Sequence, residues 1–243
     1  MMTLKILTYN MQAAIGTQSF RQYFTRAHSQ VFHSKRKTRT LKAIAELISD
    51  YDIVCLQEVD LGGLRAGNTC QVEQLSSFSG LTQISQENRK IRNISRHGNA
   101  VLSKLPITME KDLKLPGRRA GRGALLTWIG GPKPFYVLNV HLSLGLKDQH
   151  EQIAFLINET PRDLPVIVCG DFNCGALSAP MRLLKKKLEL RQLTGTHDKT
   201  YPSWKPRHDY DHILASHVFK IVDVSVAQSR LSDHLPVEAK LKF

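Results

Sequence analysis

The sequence predicts an α/β fold in which many strands carry a few helices on their outside, and three observations predict it. Short apolar runs recur at 53–56, 100–102, 135–140, 165–169 and 237–241, with the length of buried strands. Between them, segments such as 41–48 and 149–159 repeat apolar residues at helical spacing. No internal repeat, low-complexity tract or linker divides the 243 residues, so 1–243 reads as one domain.

The elements follow in order. Lys5 to Tyr9 alternates and reads as a first strand. Over 17–34, Phe20, Tyr23, Phe24, Ala27 and Val31 recur at helical spacing, with Arg21, Arg26 and His28 on other faces. The basic stretch Lys35, Arg36, Lys37 and Arg39 comes next, and its alternatives are a phosphate-facing run or a solvated loop. Leu41, Ile44, Ala45 and Ile48 give a helix that Asp50 to Asp52 ends. Ile53–Leu56 is a buried strand running into Gln57 and Glu58. Val72–Phe78 is helical, Leu81–Ser85 extended, and Ala100–Leu102 a strand. Ala124–Ile129 and Phe135–His141 form a strand pair joined by the turn Gly130-Gly131-Pro132-Lys133-Pro134. Gln149–Glu159 is a helix with Ile153, Leu156 and Ile157 facing inward. Pro165–Cys169 is a buried strand, and Ser178 caps a helix carrying Met181, Leu183 and Leu184. Strands at 213–214, 218–226 and 237–241 complete the chain.

Composition narrows the setting. Apolar residues make up 42% and charged residues 23%, a globular balance, and no apolar run approaches the length of a membrane span. The start of the chain lacks the pattern of a secretory signal. None of Cys55, Cys70, Cys169 and Cys174 forms a Cys-x-x-Cys pair, and Cys55 and Cys169 sit in apolar runs as small core residues. The expectation is a reducing, cytoplasmic location. The net charge of +13 is uneven. Residues 1–45 hold eight Lys or Arg and no acidic residue, while the other 26 basic residues nearly balance 21 acidic ones. This excess points to an anionic partner.

Polar residues collect at the ends of the apolar strands. Asn10 ends the first, and Gln57 and Glu58 the second. Asn139 and His141 end another, Asp171 and Asn173 follow 166–169, Asp211 opens 213–214, and Asp233 and His234 precede the last strand. Any one of them alone is more often a turn residue or a satisfied partner. Together they are what strands fixing a convergent site would present.

These residues carry a resemblance to the endonuclease/exonuclease/phosphatase superfamily. The matching pieces are Thr8-Tyr9-Asn10, Leu56-Gln57-Glu58-Val59, Asn99-Ala100-Val101-Leu102-Ser103, Asn139-Val140-His141-Leu142, Gly170-Asp171-Phe172-Asn173, Tyr210-Asp211-His212-Ile213 and Ser232-Asp233-His234-Leu235-Pro236-Val237. They occur in the family's order and span residues 8 to 237. The resemblance implies a four-layer α/β sandwich of two face-to-face mixed β-sheets flanked by helices. It also implies hydrolysis of a phosphodiester bond with Mg²⁺, or Mn²⁺ in its place, held mainly by Glu58 with Asn10 and Asp233 nearby. Asp171 is then the residue that deprotonates water, and Asn173 holds a phosphate oxygen. His234 donates to the phosphate with Asp211 fixing its ring, and His141 takes the place of the general acid. Asn99, Asn139 and Arg122 are the implied substrate contacts.

The chain departs from parts of the superfamily. Gln12 stands where many abasic-site endonucleases have Asp, and Val59-Asp60 where they have Thr-Lys, so it resembles instead the sphingomyelinase, deoxyribonuclease and deadenylase branches. Phe172 stands where inositol phosphatases usually have Leu, and His212 where Tyr is frequent. Overall the chain looks most like small bacterial members of the group.

Two substrates stay open. The runs Lys35–Arg39 and Arg118-Arg119-Ala120-Gly121-Arg122 favour nucleic acid, although no aromatic stacking motif is visible in the sequence. A basic amphipathic helix at 17–34 would favour an anionic phospholipid surface and a phospholipase C- or sphingomyelinase-like activity, unless its apolar face packs on the sheet edge.

Overall fold

The computed structural model describes residues 2–25, 31–118 and 120–243, without the side chains of Tyr23 and Phe24. The expectations placed on Tyr23, Phe24, Arg26, Ala27, His28 and Arg119 lie outside the described residues.

Strands β1 (Thr3–Asn10), β2 (Ile53–Asp60), β3 (Thr82–Ile91), β4 (Ser95–Ser103), β11 (Lys220–Val226) and β12 (Val237–Lys242) form one sheet. Their order is β11-β12-β1-β2-β4-β3. Strands β5 (Ile107–Lys114), β6 (Gly123–Ile129), β7 (Phe135–His141), β8 (Val166–Asp171), β9 (Leu190–Gln192) and β10 (Asp211–Ser216) form the other, in the order β5-β6-β7-β8-β10-β9. Each sheet is mixed, with one parallel pair at its centre: β1 beside β2, and β7 beside β8. Helices α2 (Lys35–Ile48) and α3 (Gln71–Ser79) cover the first sheet, and α4 (Leu146–Glu159) and α5 (Ala179–Leu188) the second. The four-layer sandwich expected from the resemblance is the architecture observed.

The pleat explains both the core and the site. Along β1, Leu4 and Ile6 point between the sheets while Leu7 and Tyr9 point to α2. Along β7, Phe135 and Val137 point between the sheets while Tyr136, Leu138 and Val140 point to the helices α4 and α5. Ile53, Cys55, Ile167, Cys169, Ile213 and Ala215 complete the inner core. The same alternation, continued to the strand ends, turns Thr8, Asn10, Gln57, Asn139, His141, Asp171 and Asp211 to the inner face. The middle of the inner face is therefore apolar and one end is polar.

The segment 17–34 differs from its expectation. Among the described residues it forms only the short helix α1 (Phe20–Thr25), with Phe20 60% exposed and edge-on to Trp204 at 5.2 Å. The basic run is not a loop but the first turn of α2, capped by Ser34. Lys37 is buried, its ammonium donating to the carbonyls of Phe32 at 2.9 Å and Arg65 at 3.0 Å, and Arg36 donates to the carbonyl of Gly16. Burial, then Arg65, lowers the Lys37 pKa to about 8. Only Lys35 and Arg39 of this run are exposed. No helix of the described residues is long and apolar enough to cross a membrane.

Candidate active site

Strict alternation would turn Glu58 to the α2 side with Leu56. A β-bulge between Leu56 and Val59, with Glu58 at φ 54°, turns it instead to the polar end of the sandwich. Its side chain is 31% exposed. Desolvation, then Asp233, raises its pKa, while Arg122, His234 and the Asn10 amide work the other way. Glu58, Asp233 and Asn10 thus bring hard oxygen donors into one neighbourhood.

Asp171 lies at the centre. Its Oδ2 accepts from Asn10 Nδ2 at 3.0 Å and lies 3.5 Å from His141 Nε2 and 3.9 Å from His234 Nε2. Its Oδ1 accepts from the Asn173 backbone N–H at 2.9 Å. Burial, resisted by His234, pushes its pKa up to about 7. Asn173 has φ 51°, which folds its amide back so that Nδ2 donates to Leu142 O at 2.9 Å.

The two histidines sit in opposite fields. His234 Nδ1 is 2.8 Å from Asp211 Oδ2, which also accepts from Thr200 Oγ1. Burial opposes charge on His234, yet Asp211, Asp171 and Asp233 hold its pKa well above the usual value. His141 Nε2 faces Asp171 and lies 3.9 Å from Glu58 Oε1. Burial, then Arg122, His234 and His97, holds its pKa well below the usual value, so it is neutral in the free protein. Asp171, Asp211 and His234 offer ligand atoms within 4.8 Å of one another and form a second place where a cation could lie.

The structure corrects two substrate contacts. Asn139 is wholly buried between the sheets, donating to Leu56 O and Ala100 O at 2.9 Å and accepting from Gln57 Nε2 at 2.7 Å. Asn99 is equally buried, donating to Gln86 Oε1 at 3.2 Å and Gly123 O at 3.0 Å. Both tie the sheets together beneath the site. Arg122 is placed differently: with Arg89, His97 and Asn88 it lines a cleft of about 100 Å³ that also contains Glu58 and His141.

Two residues gain an account that sequence alone did not give. Gln12 donates to Asp233 Oδ2 at 3.0 Å, a role no spacing signals. His212 faces away from the site, held by Thr194 Oγ1 and Cys174 O at 2.9 Å each, as its place next to the inward-facing Asp211 requires.

Comparison with known proteins gives a consistent result. The description "Endonuclease/Exonuclease/phosphatase family" matches residues 7–234. The uncharacterized protein YbhP of Escherichia coli K12 is 30% identical over 211 residues, covering 78% of this chain and 83% of its own. The human Nocturnin catalytic domain superposes with a TM-score of 0.73 at 17% identity, covering 99% of this chain and 94% of that one. A mannosyl-6-phosphatase from Bacteroides thetaiotaomicron gives 0.70 at 19%, covering 99% and 100%. At these identities the two structures show a shared fold.

Proposed function

The chain belongs to the Endonuclease/Exonuclease/phosphatase family and is a phosphoric ester hydrolase, and from that premise we propose that it is a metal-dependent nuclease that cuts a phosphodiester of DNA or RNA. The observation that carries this reading is the crowding of Asn10, His141, Asn173, Asp211 and His234 around one buried carboxylate, Asp171, with Glu58 beside it.

Asp171 takes the proton of the attacking water. Its raised pKa suits a general base, since a base titrating near the working pH transfers protons with least loss of driving force. Asn10 keeps the carboxylate oriented. His234, held cationic by Asp211, donates to a non-bridging phosphate oxygen, and Asn173 donates to another. His141 is assigned to the leaving oxygen. Neutral in the free protein, chiefly through burial and then through Arg122, it takes a proton from solvent as the negative phosphate enters and favours its cation, and it gives that proton to the leaving group. A divalent cation fits the hard oxygens of Glu58, Asn10 and Asp233, whose two carboxylates repel each other without one. Family members generally depend on such an ion, and when bound it supplies Lewis-acid stabilisation of charge at the phosphate. We favour this set over Asp171, Asp211 and His234, because the 2.8 Å bond already occupies His234 Nδ1.

Nucleic acid is favoured by the cations Arg89 and Arg122 in the cleft beside Glu58, which suit a polyanion. The test is a substrate panel with Mg²⁺ or Mn²⁺: single- and double-stranded DNA, RNA, sphingomyelin and an acidic phospholipid, with Asp171→Asn alongside. Cleavage of a nucleic acid that Asp171→Asn abolishes supports the reading. Cleavage of the lipids alone replaces it with a phospholipase C-like one.

A further inference from the structure

The segment between β9 and β10 brings together rings that are far from core-like. Tyr201 and His208 bridge in antiparallel fashion, which folds 200–210 back beside the site. His208 then stacks on Tyr210 at 4.9 Å and 12°, and Tyr201 on Tyr210 at 5.8 Å and 24°. Tyr201 also lies 4.8 Å from the His234 ring. Partial burial, then Asp171, raises the Tyr210 pKa, which places its hydroxyl within the field of the site. His208 is exposed and both tyrosines are half-buried. The contrast with the inner core is informative. There Phe135 meets Phe219 and Phe243 edge-on, at 76° and 88°. Near-parallel rings at the surface are instead an arrangement to which a further flat ring can add, and His208 is the exposed member of this one.

We propose that Tyr201, His208 and Tyr210 form a stacking platform for an unpaired nucleobase next to the scissile phosphate, so that the substrate is a single strand or a frayed end. This rests on the nuclease reading of the site. The occupant follows from the chemistry of the segment. Lys205 and Arg207 are exposed on it, between the rings, and residues 200–210 contain no Leu, Ile, Val or Met. Rings interleaved with cations and without aliphatic side chains suit bases joined by phosphates, not acyl chains. Paired bases within a duplex keep their faces stacked on each other and offer none to such a platform.

The test uses full-length protein carrying Asp171→Asn, so that binding is read without cleavage. Four probes are compared by titration: a short oligothymidylate, an abasic oligonucleotide of equal length and charge, a blunt duplex, and phosphatidylcholine/phosphatidylserine vesicles. The expected result is roughly five- to hundredfold tighter binding of oligothymidylate than of the abasic strand. His208→Ala with Tyr210→Leu removes that ratio while leaving abasic affinity and its salt slope in place, and Tyr210→Phe keeps the ratio. Equal binding of both strands, unchanged by the ring variants, overturns the platform and leaves the nuclease reading standing. Binding to vesicles with no binding to any oligonucleotide overturns both.

Discussion

Asn139 offers a direct way to separate support from contact. Its amide makes three hydrogen bonds in a wholly buried position between the sheets. Asn139→Ala removes all three and leaves the Leu56 and Ala100 carbonyls without this donor. A buried hydrogen bond contributes about 1 kcal/mol net, and a carbonyl left without a partner costs about 1–3 kcal/mol. The loss should therefore be roughly 3–5 kcal/mol, which for a domain of this size lowers Tm by about 10 °C. Asn139→Asp should be worse, because it sets a second oxygen against two carbonyls in the interior. Denaturant titration gives the midpoint, and initial rates on the folded fraction give the activity. We expect the midpoint of Asn139→Ala to fall while the rate per folded molecule changes by less than about tenfold, an energy of about 1.4 kcal/mol. A variant with the parent midpoint and no activity would refute the argument and return Asn139 to the substrate.

Three further outcomes are expected. Glu58→Gln keeps the side-chain shape, so the fold should survive while activity at low Mg²⁺ is abolished; full activity in chelator-treated buffer rules out the metal assignment. The cationic form of His234 exists below its raised pKa, so activity falls as pH rises through that value. Asp211→Asn should move this alkaline limb down by about 1–3 pH units, and unfolding of the variant would make Asp211 structural instead. Lys35→Gln with Arg39→Gln should leave stability intact and flatten the salt dependence of nucleic-acid binding by about 0.7–0.9 for each phosphate no longer neutralised, whereas Lys37→Gln should destabilise the fold; the same melt for both variants would undo the distinction.

Much of the fold and of the site is legible in the sequence, because alternation is both a folding rule and a placing rule. Leu4, Ile6, Thr8 and Asn10 share a face in any extended strand, so alternation alone marks the polar end of that face. Depth is not legible in the same way. Asn139 and His141 lie on one face of β7, two residues apart, yet only His141 reaches the charged groups of the site. The strand β5 escapes the hydropathy pattern for a different reason. It is an edge strand with mostly exposed residues, and edges carry charge that prevents further pairing, so hydropathy does not mark them. The ring cluster is hidden because the bridge between Tyr201 and His208, not sequence spacing, brings those rings together.

What the sequence least reveals is the backbone on which the site depends. Gln12, Ala13, Ala14, Glu58 and Asn173 all have positive φ, between 46° and 58°, a conformation that costs a side-chain-bearing residue about 1 kcal/mol or more. Such a conformation persists only where its surroundings impose it. The Gln12 N–H donates to Asn10 Oδ1 at 3.2 Å, Gln12 Oε1 accepts from the Thr17 N–H at 3.2 Å, and Ala13 O accepts from Gln71 Nε2 at 2.9 Å. Asn173 is held through its N–H by Asp171, through its side chain by Leu142, and through its carbonyl by Gln149 at 3.0 Å. These turns do what a regular strand cannot. They let residues close in sequence serve the inner face in different ways: Gln57 braces the sheets through Asn139 while Glu58 turns to the polar end, and Asp171 and Asn173 both stay at the site although the strand ends between them. Gln12 shows the same economy: where a carboxylate would repel Asp233, its amide donates to it, and the two carboxylates nearest the proposed ion remain Glu58 and Asp233.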